Sequence, residues 1–247
     1  MKISITASSR IGCVRGNNED MVLVDQWCVR NGMVRADVDT DAVDRYLIAL
    51  ADGMGGHNSG EVASSDVLHN LQFVFSDLPI GLNTEAFNDA IYDWPNSINH
   101  IIDSKGVCDT RYTRMGTTLV ALAYYGHQFY WLNCGDSRIY RFHDGQFIQL
   151  STDHSLKTLV GDDDHSNIIT NCIGGGCKHS FIDIVQCTAD VLPGDTFLLC
   201  SDGLTDMLHE DVIAKHLSQG ISADELCILA EQAGGYDNVS AVVATIK

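Results

Sequence analysis

Five aspartates stand at the margins of apolar, strand-like runs, and that placement restricts how this chain can fold. Asp52 directly follows residues 46–51 and opens the turn Gly53-Met54-Gly55-Gly56. Asp136 and Asp202 follow the apolar runs 128–134 and 196–200, whereas Asp20 and Asp237 precede runs 21–27 and 239–246. An unpaired carboxylate is too costly to bury in a core. Any one of these acids alone reads as turn chemistry, since Asp-Gly pairs commonly close hairpins. As a set they read differently. In antiparallel pairing the end of one strand lies beside the start of the next, so acids that follow some strands and precede others gather at one edge. Crowded carboxylates repel until they take up protons or cations. An all-oxygen donor set selects hard ions such as Mg²⁺ or Mn²⁺ over Zn²⁺. Two such ions ~3.5–4 Å apart can hold a phosphoryl oxygen and bring a bound water to a pKa of ~7. The pattern points to hydrolysis of a phosphate ester.

The other periodicities fill in an α/β frame. Strands are expected over residues 3–9, 21–27, 46–51, 116–125, 128–134, 139–142, 147–150, 181–187, 196–200 and 239–246. Helical spacing covers 60–75, 84–102 (divided or bent by Pro95), 209–217 and 222–233. Residues 28–45 read as a charged, exposed connection, and 151–176 as mostly irregular. There is no repeat, low-complexity tract or linker, so a single domain over residues 1–247 is expected. The formal charge of −18, from 33 acids against 15 Lys and Arg, argues against nucleic acid and anionic membranes. A phosphorylated substrate would approach such a protein only where cations reverse the local field. Nine cysteines without framework spacing read as reduced thiols. With no apolar leader or membrane-length run, a cytoplasmic protein is expected.

The ordered segments Arg15-Gly-Asn-Asn-Glu-Asp20, Ala51-Asp-Gly-Met-Gly-Gly-His57, Gly60-Glu-Val-Ala-Ser64, Met115-Gly-Thr-Thr118, Asn133-Cys-Gly-Asp-Ser-Arg138, Thr152-Asp-His-Ser155, Leu199-Cys-Ser-Asp-Gly-Leu204 and Asp237-Asn238 together resemble one family. It is that of the bacterial metal-dependent type-2C (PPM) serine/threonine protein phosphatases. The resemblance implies an α+β fold, a four-layer α/β/β/α sandwich with two central antiparallel sheets. It also implies two Mn²⁺ or Mg²⁺ ions and a weaker third. Asp52 would bridge the two ions, with the Gly53 carbonyl binding one of them. Asp202 and Asp237 would complete the coordination of the first ion, Asp20 would serve the second directly or through water with help from Glu19, and Asp136 would hold the third. Arg15 would grip the substrate phosphate, and Thr117 and Asn238 would orient ligands. The implied catalytic set is Asp52, Asp136 and Arg15. The implied mechanism is direct attack on phosphorus by a metal-bridging hydroxide, without a phosphoenzyme.

The implied partners are phosphorylated proteins, with a Ser/Thr kinase opposing the enzyme, and the implied state is a monomer. The proton for the leaving group is less well placed. Met54 stands where some members carry His, so a water near Asp136 or, more weakly, His57 is the candidate. Two rivals are a catalytically weak signalling relative and a two-metal esterase for small phosphates. Residues 156–170 are shorter than the usual flap and contain Asp162-Asp163-Asp164, which suggests a short acidic lid or simply a solvated loop. Residues 29–45 are longer than the family core requires. Cys172 and Cys177, near His165 and His179, match no usual structural zinc spacing. Gly174-Gly175-Gly176 lacks the lysine of a nucleotide loop. Cys13, Cys134 and Cys200 read as small core residues.

Overall fold

Neighbouring residues of the central strands face different interiors. In Arg45–Ala51 (β5), Leu47, Ala49 and Ala51 join one apolar cluster while Ile48 and Leu50 join a second. In Thr196–Cys200 (β14), Phe197 and Leu199 join that second cluster while Leu198 and Cys200 join a third. Strands covered on both faces need no polar alternation, which is why both runs are continuously apolar. Three interiors separate four layers. The computed structural model describes residues 1–55, 59–160 and 168–247.

One six-stranded sheet runs, edge to edge, Gln146–Gln149 (β11), Arg138–His143 (β10), β14, Val239–Ile246 (β15), Lys2–Arg10 (β1) and Gly32–Asp39 (β4). The second runs Asp183–Gln186 (β13), Gln128–Cys134 (β9), Leu119–Tyr125 (β8), β5, Met21–Val24 (β2) and Trp27–Val29 (β3). A small three-stranded sheet joins Ile173–Gly174 (β12), Gly116–Thr117 (β7) and Gly53–Met54 (β6). Every paired register is antiparallel. Helices Gly60–Asp77 (α1), Thr84–Tyr92 (α2) and Trp94–Cys108 (α3) pack on the second sheet through the first cluster. Glu210–Leu217 (α6) and Ala223–Gln232 (α7) pack on the first sheet through the third. Two short helices, Leu156–Val160 (α4) and Asp202–Thr205 (α5), complete the set among the described residues. This is the expected four-layer α+β sandwich.

Local chemistry sets the breaks. Pro95 lies in the first turn of α3, where its missing N–H costs nothing, and Asp93 separates α2 from α3. Ser222 and Glu225 form a reciprocal capping box that starts α7. Gly126 and His127, with φ of 57° and 64°, close the β8–β9 hairpin in the mirror-type turn that suits strand twist.

Three expectations need correction. Residues 28–45 are not an exposed loop, because β4 pairs with β1 along residues 32–39. Its charged Arg35 and Asp37 face outward, while Val34, Ala36 and Val38 pack against the inter-sheet cluster. The strand expected over 21–27 ends at Val24, and Trp27 opens the returning strand β3. The α5 helix, begun by Asp202 itself, was not anticipated. The acidic triplet, His57 and His165 lie outside the described residues.

Candidate active site

The sheet registers explain how distant acids meet. Met21 pairs with Ala51, so one step outward sets Asp20 opposite Asp52. Arg138 pairs with Cys200, so two steps outward set Asp136 opposite Asp202. Cys200 also pairs with Ala241, which brings Asp237, two residues before β15, to the same edge. A cavity of about 610 Å³ opens there, lined by Asp52, Gly53, Asp136, Asp202, Asp237, Arg15 and Glu19. Asp20 is absent from the wall. It lies beneath it, 1% exposed. Its Oδ2 accepts from Ser201 Oγ at 2.8 Å, and its Oδ1, near Ser240, has no well-formed hydrogen bond among the described residues.

Backbone and side-chain clamps hold these groups. Asp52 carbonyl accepts from Thr117 Oγ1 at 2.7 Å and from Thr118 N–H at 2.9 Å, while Thr118 Oγ1 accepts from Asp52 N–H at 3.1 Å. Asn238 ties the 11–19 loop to the last strand. Its Oδ1 accepts from Glu19 N–H at 2.8 Å, and its Nδ2 donates to the Ile11 and Asn17 carbonyls at 2.9 and 2.8 Å. Thr117 thus contacts the backbone of Asp52, and Asn238 that of Glu19. Gly53 permits a close approach, because a Cβ there would come within 2.2 Å of the Gly60 carbonyl oxygen. Helix α1 consequently begins directly against β6, and Gly60 N–H donates to Glu19 Oε1 at 3.3 Å.

Crowding and burial shift the carboxyl pKa values upward. Burial, then the charges of Asp20, Asp202, Asp136 and Asp237, hold Asp52 well above the ordinary carboxylate range. Burial, aided by Asp202 and Asp237, pushes Asp20 to about 7. Asp136 reaches about 7 through burial and the charges of Asp202 and Asp153, and Asp202 about 6 through burial, Asp206 and Asp237. Glu19 and Asp206 are also raised, each chiefly by burial. At the rim, one acid is paired with a base. Arg15 Nη2 donates to Asp237 Oδ2 at 2.6 Å, which raises the guanidinium pKa.

The donor set fits hard divalent cations. It is all oxygen, its buried carboxyls crowd together so that charge on each disfavours charge on the next, and one buried Asp20 oxygen has no well-formed hydrogen bond among the described residues. Among the described residues, no group of three or more His, Cys, Asp or Glu is arranged to hold a metal by itself. Ions here would also draw on water, as Mg²⁺ usually does.

Sequence reasoning missed several supports. Asp206 lies one helical turn after Asp202, a spacing that the segment DGLTD displays. Arg30 donates to the Asp20 carbonyl at 2.9 Å and to the Glu61 carbonyl at 2.7 Å, bracing the floor against α1. His154 grips Gly135 from both sides. Its N–H donates to the Gly135 carbonyl at 2.9 Å, and its Nδ1 accepts from Gly135 N–H at 3.1 Å.

This architecture, with acids from both sheets converging on one cavity, is that of a known class. The family described as Protein phosphatase 2C matches residues 28–231, and the chain belongs to it. The serine/threonine protein phosphatase PstP of Mycobacterium tuberculosis is 32% identical over 97% of this chain, which spans 44% of the mycobacterial protein. Protein phosphatase PhpP of Streptococcus pneumoniae is 30% identical and covers 100% of this chain and 98% of its own length. The Streptococcus agalactiae serine/threonine phosphatase structure superposes with a TM-score of 0.81, at 27% identity and 99% and 100% coverage. The PstP catalytic domain, solved in complex with two manganese ions, gives 0.74 at 30% identity with both chains fully covered.

Proposed function

We propose that residues 1–247 act as one catalytic unit, a cytoplasmic, monomeric phosphatase that removes phosphate from serine and threonine in proteins and opposes a Ser/Thr kinase. The observation that carries this reading is the convergence of Asp20, Asp52, Asp136, Asp202 and Asp237 around one polar cavity at the shared edge of the sheets. A pair of bound Mn²⁺ or Mg²⁺ ions would polarise the phosphoryl oxygens and activate water to attack phosphorus directly. The chain's own residues do the rest. Asp52, Asp202 and Asp237 present carboxylate oxygens on the cavity wall, the Gly53 carbonyl adds one beside Asp52, and Asp20 supplies one from below. Arg15 exchanges its contact with Asp237 for the substrate phosphate, where its fork matches two oxygens. Asp136, on the same cavity wall, would hold the weaker third ion, and a water near it would supply the leaving-group proton.

The relatives' names supply the substrate class, and the manganese complex of PstP the choice of ion. The test is hydrolysis of a phosphothreonine peptide, an aryl phosphate and a set of metabolite esters, each with Mn²⁺, Mg²⁺ or chelator. Preference for the peptide with Mn²⁺ supports the reading. Preference for a metabolite ester points to the small-molecule rival, and bound metal without turnover to the signalling rival.

A further inference from the structure

The small sheet that carries Gly53 ends in a pair of thiols with no part in the site described above. Cys172 and Cys177 bracket β12, and their sulfurs stand 3.3 Å apart. All nine cysteines are free thiols, and this pair is already near bonding distance, where a disulfide needs about 2.05 Å. The turn between them is held in shape. Gly174, Gly175 and Gly176 all have positive φ, at 79°, 65° and 85°. Cys177 N–H donates to the Gly174 carbonyl at 3.0 Å, and Asn99 takes the Gly174 N–H while donating to the Cys177 carbonyl. The two sulfurs differ in access. Cys172 is 4% exposed, whereas Cys177 is half-buried beside exposed Gly176 and Lys178.

We propose that Cys172 and Cys177 form a peroxide-responsive disulfide that weakens ion binding at the aspartate edge. Cys177 thiolate attacks the peroxide O–O bond and becomes a sulfenic acid, and the departing oxygen takes a proton and leaves as water. Cys172 sulfur then displaces the hydroxyl, giving its own proton to it, so that a disulfide and a second water form. Two thiols are oxidised and one hydrogen peroxide is reduced.

The route to the site is short. Ile173 pairs with Thr117 and Gly174 with Gly116 in β7, and Gly175 N–H donates to the Met115 carbonyl at 2.8 Å. The same two β7 residues pair with Gly53 and Met54, and Thr117 Oγ1 holds the Asp52 carbonyl. Drawing the sulfurs together pulls β12 against β7, and β7 carries the displacement to Asp52 and Gly53. The consequence for ion binding rests on the metal reading above, whereas the disulfide itself does not.

The test treats the full chain with hydrogen peroxide and maps disulfides by mass spectrometry of non-reduced peptides. Calorimetry then measures Mn²⁺ affinity before oxidation, after it and after dithiothreitol. The expected result is a Cys172–Cys177 link, Mn²⁺ affinity lower by about tenfold, and full recovery on reduction. The Cys177→Ser variant should keep its affinity through the same treatment. In Cys172→Ser, a sulfenic acid at Cys177 should be trapped by dimedone. No link between these two, or a link through Cys134 instead, overturns the proposal. A link that leaves Mn²⁺ affinity unchanged overturns the coupling. Absence of Mn²⁺ binding in the reduced chain would instead count against the metal reading.

Discussion

Asp237 and Asp20 enter one site under opposite conditions. Asp237 stands at the rim, its side chain 36% exposed, with an Arg15 nitrogen 2.6 Å away. Asp20 lies at the floor, with one oxygen on Ser201 and the other without a well-formed hydrogen bond among the described residues. The chain balances the charge of the rim acid with an arginine that solvent and substrate can reach. The floor acid's carboxylate has no ion pair among the described residues, and nearby Arg30 donates to the Asp20 carbonyl instead. On the function proposed above, the rim would meet the substrate and the floor would retain an ion.

The largest effect should come from breaking the wall that joins the two. Asp52→Asn or Asp202→Asn replaces a carboxylate oxygen of the cavity wall, a proposed ion ligand, with an amide nitrogen. Replacement of outer partners alone costs 10–100-fold in other metal sites, so each variant should lose more than about a hundredfold in turnover. Mn²⁺ calorimetry should show the matching loss. A variant with wild-type metal affinity would detach that residue from the ions.

The floor predicts a trade of stability against function. Asp20→Asn keeps an oxygen acceptor for Ser201 and removes a buried, unbalanced charge. In chelator at pH 8 it should be more stable than wild type by about 1–3 kcal/mol, while binding Mn²⁺ more weakly. Denaturant melts with and without Mn²⁺ measure both. A destabilised Asn variant in chelator would mean that the Asp20 charge is already balanced within the chain.

The same contrast sets the pH dependence. A carboxyl with a raised folded pKa binds its proton more tightly folded than unfolded. Its contribution is therefore complete below the ordinary value of 3.8 and is lost as pH rises through the folded value. For Asp202 that value is about 6, and for Asp20 and Asp136 about 7. In chelator, stability should fall between about pH 4 and 8, by at most about 1.4 kcal/mol per pH unit for each proton released. Saturating Mn²⁺ should flatten the slope, because the ion replaces the protons. A profile equally steep with Mn²⁺ would separate the titrating acids from the ion site.

How much of this was legible in the sequence follows the same division. The wall acids could be read because each interrupts an apolar run, and strand pairing converts that punctuation into proximity. The four layers came from the family resemblance, and the unbroken apolar run of β14 agrees with a strand covered on both faces. Strand β4 could not be read as easily. Its inward residues Val34, Ala36 and Val38 alternate with Arg35 and Asp37, and outward charge on an edge strand resembles a loop. Arg30 and His154, the latter part of the segment Thr152-Asp-His-Ser155, have roles that were hidden for another reason. They act on backbone groups of Asp20, Glu61 and Gly135, and no side-chain pattern records a bond to a carbonyl or amide far along the chain.

The smallest stability effect belongs to the rim, and it sharpens the comparison most. Arg15 is 55% exposed at its side chain, so solvent screens its pair with Asp237. Arg15→Ala should therefore change stability by less than about 1 kcal/mol. Losing a charge-assisted contact to the phosphate should still raise KM for a phosphopeptide by about tenfold. Mn²⁺ affinity should hold or improve, since Asp237 no longer divides its oxygens between guanidinium and ion. Arg15→Lys should recover part of the KM, because an ammonium keeps the charge without the planar fork. If KM stays unchanged while Mn²⁺ affinity falls, Arg15 supports the ion site rather than the substrate, and rim and floor cease to be distinct.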